Sequence, residues 1–431
     1  MVIISQKWRK VKSGNAFRYT LKTLIVTIVS ALLTLWCLPE LLELTSVFSA
    51  RGQEDFSITD FYNRLAVETI DKCDAGEVVC LNYEGSERIE IARLLDVLVS
   101  GKETERPAVV ALDFYFPSVK NNDEILIEAM RRCAAKSRLV LPYIVKYNED
   151  GTFSSDMSSY FNDTLACDSA GHFSTAVINL AGNYFTDVMR DFRYDFSISD
   201  SNRNFTMLSM PAQIAVQKHL ADNMCDADSL LPMFEAAVAE HFIDAKNHHV
   251  IINYITDTIF TYDAMCLLDT TLQHSDIYKE IMDMIAGKAV VVGSMNDVKD
   301  TYITPLPELQ AGMMVHAYGA DTLLARRYIS QSPLWLSWVI AVLITLMFTY
   351  FNCVVTDYAL EGGNSLVRIL QFISMLVLIW GGYMLFAHVN IYVDFNLSIM
   401  MIATSAMTFD MYNGCLFICR LFRNRYAKHR Q

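Results

Sequence analysis

The chain has 431 residues, of which 53% are hydrophobic and 19% are charged, and its formal net charge is −13. This composition excludes a disordered chain, and the negative charge argues against general binding of polyanions such as nucleic acid. The high apolar content indicates that part of the chain lies in lipid.

Four apolar segments are long enough to cross a bilayer as helices, because about 20 apolar residues span its hydrocarbon core. They are residues 21–42, 334–355, 367–387 and 391–412. Only short links join the last three, so we expect a four-helix transmembrane bundle with one span before the large middle segment and three after it. We interpret the first span as an uncleaved anchor, with a cleaved signal peptide as the alternative, because Phe48 stands where a cleavage site requires a small residue.

Charge next to the spans predicts their orientation. Residues 1–20 and the short tail of residues 413–431 are basic and contain no acid. Such flanks are typical of cytoplasmic ends, so residues 43–333 are predicted to lie outside the cytoplasm. That segment holds 23 basic and 43 acidic residues. The arrangement fits an envelope protein whose basic ends bind anionic membrane lipid.

The middle segment alternates between short apolar strands and helical patterns. Strands are predicted at residues 78–82, 108–114, 139–141, 250–254, 259–262 and 288–293, and helices at residues 87–99, 122–135, 205–220, 230–242 and 313–324. Residues 150–205 are expected to hold loops and edge strands. Continuous apolar strands separated by helices favour an α/β domain, with a mostly parallel sheet covered by helices on both faces.

Cysteines permit disulfides in this segment, which contains six of the ten in the chain. Connectivity is open, since six cysteines allow fifteen pairings. Cys73 and Cys80 are the first pair we expect, because they are close enough to close a small loop before a strand. The alternative is that several of the six are buried thiols. No CxxC pair supports a zinc site.

Acidic and hydroxyl side chains follow two of the predicted strands. Asp113 ends one strand, while Ser294, Asp300 and Thr304 follow another. Open α/β sheets bind ligands at the carboxyl ends of their strands, so these four residues are the candidate ligand-binding set. Two acids there suit a cation or a polar ligand, or share a proton. The alternative is that each acid caps a helix or braces a loop.

Motifs of catalysis and cofactor binding are missing from the sequence. It contains no GxGxxG, GxxxxGK[ST] or GxSxG, and its histidines show no HExxH spacing. We interpret His248, His249 and His316 as structural. The sequence therefore predicts neither an enzyme, nor a metal site, nor a cofactor. An exported metal-dependent hydrolase using Asp113 and Asp300 is the least favoured hypothesis.

One series of stretches stands out by its order and spacing: residues 87–95, 107–117, 122–124, 252–254, 287–294, Asp300, residues 304–305 and residues 312–317. Together these stretches resemble the second type of CHASE domain, a sensory extracellular domain of bacterial cyclases and histidine kinases. The likeness covers residues 55–330 and the layout of the spans.

The resemblance implies an extracytoplasmic sensor in the bacterial inner membrane, which detects an unknown small ligand or other signal. It also implies a homodimer. The family usually carries kinase or cyclase modules in the same chain, whereas here a short basic tail follows the fourth span. We therefore expect a separate protein partner to supply the output. A structural or scaffold subunit of an envelope complex is the alternative function.

Overall fold

The chain divides into two units, residues 1–58 with 331–431, and residues 59–330. The computed structural model describes residues 13–47, 58–69, 75–85, 87–148, 152–158, 161, 165, 172–180, 188–200, 203–223, 249–255, 258–273, 275–357, 363–393 and 395–428.

The helices of the described residues occur in both units. In chain order they are α1 (Ser13–Val47), α2 (Ile58–Thr69), α3 (Arg88–Leu98), α4 (Asp123–Lys136), α5 (Met210–Asn223), α6 (Met265–Leu268), α7 (Asp276–Ile285), α8 (Gly312–Leu324), α9 (Leu334–Asp357), α10 (Gly363–Val389) and α11 (Asn396–Lys428).

Most of the strands belong to the unit of residues 59–330. In chain order they are β1 (Ala75–Asn82), β2 (Val109–Leu112), β3 (Arg138–Tyr147), β4 (Phe153–Ser158), β5 (Phe173–Val177), β6 (Asp191–Arg193), β7 (Asp195–Asp200), β8 (Arg203–Leu208), β9 (His249–Ile251), β10 (Thr258–Asp263), β11 (Ala289–Gly293), β12 (Thr301–Tyr302), β13 (Gln310–Ala311), β14 (Ser330–Gln331) and β15 (Ile391–Tyr392).

The main sheet is mixed, with the order β10-β1-β11-β2-β3-β4-β7-β8 and with β5 also paired to β3. The ladders from β10 to β3 are parallel, as is the ladder between β3 and β5, so the predicted parallel sheet is confirmed there. Antiparallel pairing joins β3 to β4 and β7 to β8. The sheet is therefore parallel at its centre and mixed towards the β8 edge.

Alternating side chains of the central strands bury both faces of the sheet. On β2, Val109 and Ala111 pack in one cluster with residues of α5 and α8. Val110 and Leu112 point the other way and pack with residues of α3, α4 and α7. All four are fully buried. Each fully buried large aliphatic side chain contributes roughly 1.5–3 kcal/mol, so this two-sided burial holds the three layers together.

Some sequence predictions for this unit need correction. Residues 205–208, predicted as helix, form part of β8, and the helix begins at Met210. The cause is a contact with another part of the chain: Arg203–Leu208 pairs along its whole length with Asp195–Asp200 in an antiparallel hairpin. The strand predicted at residues 250–254 is confined to His249–Ile251, and within the described part of the chain its one ladder is the antiparallel pairing with β6. The helix predicted at residues 230–242 lies outside the described residues.

The unit of residues 1–58 and 331–431 is helical. Among the described residues, three helical segments are long and apolar enough to cross a membrane: Phe17–Trp36, Trp335–Thr356 and Ser365–Val389. The fourth predicted span, residues 391–412, overlaps α11, which begins only at Asn396 and does not meet that criterion.

A buried ion pair joins α3 and α4 on one face of the sheet. Arg88 Nε lies 3.1 Å from Asp123 Oδ1, and the two side chains are only 5% and 8% exposed. The guanidinium also stacks on Phe116, with its Cζ 4.4 Å from the ring centroid. Asp123 accepts a further hydrogen bond from the backbone N–H of Lys120. Both charges are thus compensated inside the protein, as a buried ion pair requires.

Replacing Arg88 by Met is expected to lower the free energy of unfolding by roughly 3–5 kcal/mol, because it leaves the Asp123 carboxylate buried and unpaired. The double variant Arg88→Met, Asp123→Leu should regain much of that loss, since it removes both charges. The matched control is Arg132→Met, which breaks the exposed pair with Asp96 and should cost less than about 1 kcal/mol. Thermal unfolding of the purified full-length variants measures the difference, and equal melting temperatures for the two single variants would contradict this account.

Candidate functional site at the carboxyl edge of the sheet

Alternation along β2 places Asp113 on the α8 face of the sheet. Its backbone N–H donates to the carbonyl of Val292 at 2.8 Å, so Asp113 lies beside the end of β11. There the chain has a glycine, Gly293. A Cβ built on Gly293 would lie 3.0 Å from the Met313 Cβ and 3.2 Å from the Asp113 Cβ. The absence of a side chain at this position therefore lets β2, β11 and α8 meet closely.

Asp113, Asp300 and His316 form a cluster at this edge, in which the side chains of Asp113 and His316 are buried and Asp300 is half-buried. His316 Nε2 lies 3.9 Å from Asp113 Oδ1, and the two side chains are 3% and 6% exposed. Asp300 approaches from the segment after β11, with its carboxylate against Gly312 at the start of α8. A Cβ built on Gly312 would overlap both carboxylate oxygens. A second glycine thus provides room for the second acid.

Burial determines the protonation of this cluster. It raises the pKa of Asp113 to about 7. Burial and, next, the charge of Asp113 raise the pKa of Asp300 to about 7, while His316 and a hydrogen bond from Tyr302 act in the opposite direction. Burial also lowers the pKa of His316 to about 4. Near neutral pH the two acids are therefore only partly ionised and the imidazole is neutral.

The other two members of the candidate set make different contacts. Ser294 Oγ donates to Glu84 Oε2 at 2.9 Å, and the backbone N–H of Met295 donates to Glu84 Oε1 at 3.1 Å. These bonds tie the segment after β11 to the end of β1. Thr304 is buried, and its hydroxyl accepts from the backbone N–H of Leu306 at 3.2 Å. The structure thus brings together Asp113 and Asp300, while Ser294 and Thr304 hold the neighbouring loops.

Sequence reasoning missed His316, Glu84 and the two glycines as parts of this edge. A signal for His316 was present, because it follows the start of α8 by one helical turn and Asp113 alternates onto the same face. No sequence pattern indicated Glu84, whose role depends on the insertion of β11 between β1 and β2.

The predicted disulfide between Cys73 and Cys80 stays a prediction. Cys80 lies in β1, with its thiol fully buried in the cluster on the α8 face. Burial raises the pKa of that thiol well above its ordinary value. Cys73 lies outside the described residues.

The arrangement at the carboxyl edge is suited to holding and releasing a proton. Within the described ranges, no group of three or more His, Cys, Asp or Glu side chains is placed to hold a metal ion. Two acids and one imidazole supply proton donors and acceptors in an environment with little water. Their charge state is therefore sensitive to pH and to any polar group that reaches them.

A family model, described as the CHASE2 domain, matches residues 27–351 of the chain. The chain belongs to the CHASE2 family. This confirms the resemblance drawn from residues 87–95, 107–117 and the later stretches. CHASE2 domains are sensory extracellular domains, which is consistent with a sensory role for this chain. The CHASE2 match and the three apolar helices together indicate a membrane protein. No curated protein and no solved structure matches the chain.

Stability of the CHASE2 unit is expected to depend on pH through Asp113. An acid whose pKa is raised on folding stabilises the protein at low pH, and this contribution is lost as the pH rises from about 4 through about 7. Asp113→Asn removes the ionisation, so its stability relative to wild type should increase between pH 5 and pH 8. The increase is bounded by roughly 4 kcal/mol, since one pKa unit corresponds to about 1.4 kcal/mol.

Melting temperatures of the full-length protein across this pH range measure the effect. The control is Asp96→Asn, an exposed acid paired with Arg132. Its stability relative to wild type should stay nearly constant over the same range. If the melting temperatures of wild type and Asp113→Asn differ by the same amount at every pH, Asp113 does not titrate as described.

Proposed function

We propose that this protein is an extracytoplasmic sensor that passes a signal through its transmembrane helices to a separate protein partner. The observation that carries the proposal is the CHASE2 match, which begins within α1 and ends within α9. The sensory domain and the two helices that flank it in sequence are therefore matched as one continuous segment. We further propose that the chain itself is not an enzyme.

We also propose that α11 is the fourth span. Two side-chain pairs support this arrangement. Lys22 Nζ donates to Asn413 Oδ1 at 2.9 Å, and the hydroxyls of Thr34 and Thr404 lie 3.0 Å apart. Because the contacts of α1 run in the opposite direction along α11, the two helices pack antiparallel. If α1 crosses the membrane, residues 404–413 cross beside it.

Polar residues explain why hydropathy does not identify α11 as a span. Ser398, Ser405 and Thr408 are buried among the helices. Asp410 is paired with Arg368 of α10, with 2.6 Å between Oδ2 and Nη2. Such residues lower the mean hydropathy of the segment. The hydroxyls of Ser405 and Thr408 donate to carbonyls of α11 itself, those of Ile402 and Thr404, and Asp410 pairs with a neighbouring helix.

The basic ends give the proposed orientation in a bacterial inner membrane. Residues 1–20 and 413–431 are basic and would face the cytoplasm, which places residues 43–333 outside. Lys22, Arg368, Asp410 and Asn413 then belong to the cytoplasmic ends of their helices.

Signal transfer is proposed to run from the carboxyl edge to the helices. α8 carries His316, begins against Asp300 and is followed in sequence by α9. A signal shifts the helices only if it binds their two states with different affinity. Asp113, Ser294, Asp300 and Thr304 remain the proposed ligand-responsive set, and a homodimer is the proposed signalling form.

Reporter fusions test the fourth span. A fusion after residue 393 should place alkaline phosphatase outside, where it is active. A fusion after residue 428 should place it in the cytoplasm, where it is inactive, and the reverse pattern is expected for a cytoplasmic fluorescent reporter. The same reporter behaviour at both positions would show that α11 does not cross the membrane.

Co-purification tests the proposed function. The full-length protein, extracted in mild detergent, should retain a kinase, cyclase or regulator, identified by mass spectrometry. The activity of that partner in cells should change when the protein carries Asp113→Asn and remain unchanged with Asp96→Asn. Only envelope-assembly proteins in fixed stoichiometry, with no difference between the variants, would favour the scaffold function instead.

A further inference from the structure

A cleft lies at the far edge of the main sheet, between β4, the end of β6 and the β7–β8 hairpin. Its volume is about 400 Å³, and its lining includes Phe153, Arg193, Ser197, Phe205 and Thr206. The strand order separates it from the Asp113 cluster, because β3 and β4 stand between β2 and β7. A cleft of this size falls in the range that holds small organic molecules.

Arg193 is held in this cleft by two aromatic rings and one hydrogen bond. Its Cζ lies 4.9 Å from the ring centroid of Phe153 and 5.7 Å from that of Phe196. Its Nε donates to the backbone carbonyl of Asp195 at 2.7 Å. These contacts fix the guanidinium plane, so a ligand would meet a donor group that has already lost much of its conformational freedom.

The charge of Arg193 is not balanced within the described residues. No carboxylate there forms an ion pair with it, and neither of its Nη groups has a hydrogen-bond partner there. The nearby Asp191 pairs instead with His249, with 2.7 Å between Oδ1 and Nδ1. Among the residues that the structure describes, the lining of the cleft contains no acid, although residues 43–333 hold 43 acidic and 23 basic residues. The cleft is thus a local positive site in an acidic domain.

We infer that this cleft binds a small organic monocarboxylate with an apolar body. The two Nη groups present parallel donors of the spacing that a carboxylate accepts. Phe153 and Phe205 line the cleft with apolar surface for the remainder of the molecule, and Ser197 and Thr206 add hydroxyl groups. The inference rests on the cleft alone, so carboxylate binding without any effect on a partner would leave it intact and count only against the proposed function.

Calorimetric titration of the full-length protein in lipid nanodiscs tests the inference, with empty nanodiscs to correct for partition into lipid. The probes are phenylacetate, its neutral analogue phenylacetamide and the dianionic benzylphosphonate. Phenylacetate should bind at least tenfold more tightly than phenylacetamide and benzylphosphonate. Arg193→Gln should weaken phenylacetate binding at least tenfold, and Arg193→Lys should weaken it less.

A second variant keeps the test valid if Arg193→Gln fails to fold. Ser197 is exposed, so Ser197→Glu should fold normally while adding a negative charge to the cleft, and it should abolish binding. The matched control Ser100→Glu, at an exposed position outside the lining, should bind like wild type. The inference is overturned by absence of phenylacetate binding, by equal affinity for the acid and the amide, by preference for the phosphonate, or by unchanged binding in Ser197→Glu.

Discussion

Burial of both faces of β1, β11 and β2 is the constraint on which the CHASE2 unit depends. The side chains of these parallel strands pack against helices on either side, so a charged group on them would lie in the core. Polar chemistry is therefore restricted to the strand ends. Asp113 occupies the first position after β2, where the sheet still buries it but the neighbouring loops reach it.

The same constraint explains the unusual electrostatics of the carboxyl edge. Gly293 and Gly312 allow β11 and α8 to approach so closely that Asp113 loses most of its contact with water and Asp300 part of it. Two acids and an imidazole in that environment favour their uncharged forms, because the charged forms are poorly solvated. Ionisation of one of these groups, or a polar ligand group that reaches it, alters the contacts at the start of α8. We therefore propose this cluster as the point at which a signal acts on α8, the helix that leads to α9.

Sequence patterns predicted the core better than the site. Continuous apolar runs predicted the bounds of β2 and β11 to within one or two residues. Strands that are buried on both faces consist of apolar residues, so the sequence shows them directly. The antiparallel hairpin of β7 and β8 was missed. Arg203–Leu208 is a strand because it pairs with Asp195–Asp200, and neither strand has the continuous apolar run of the central strands. Asp113 and Asp300 were predicted as neighbours from strand ends alone. Glu84 and the environment of His316 depend on strand order, which a single sequence does not reveal.

The most direct test of this account is amide hydrogen exchange of the full-length protein in lipid nanodiscs, comparing wild type with Asp113→Asn at pH 7.5. The account predicts altered protection in α8 and in residues 325–333, which lead to α9, with no change in α3 and α4 on the opposite face of the sheet. A change confined to β2 and β11, with α8 and residues 325–333 unaffected, would contradict the claim that the buried cluster communicates with the transmembrane helices.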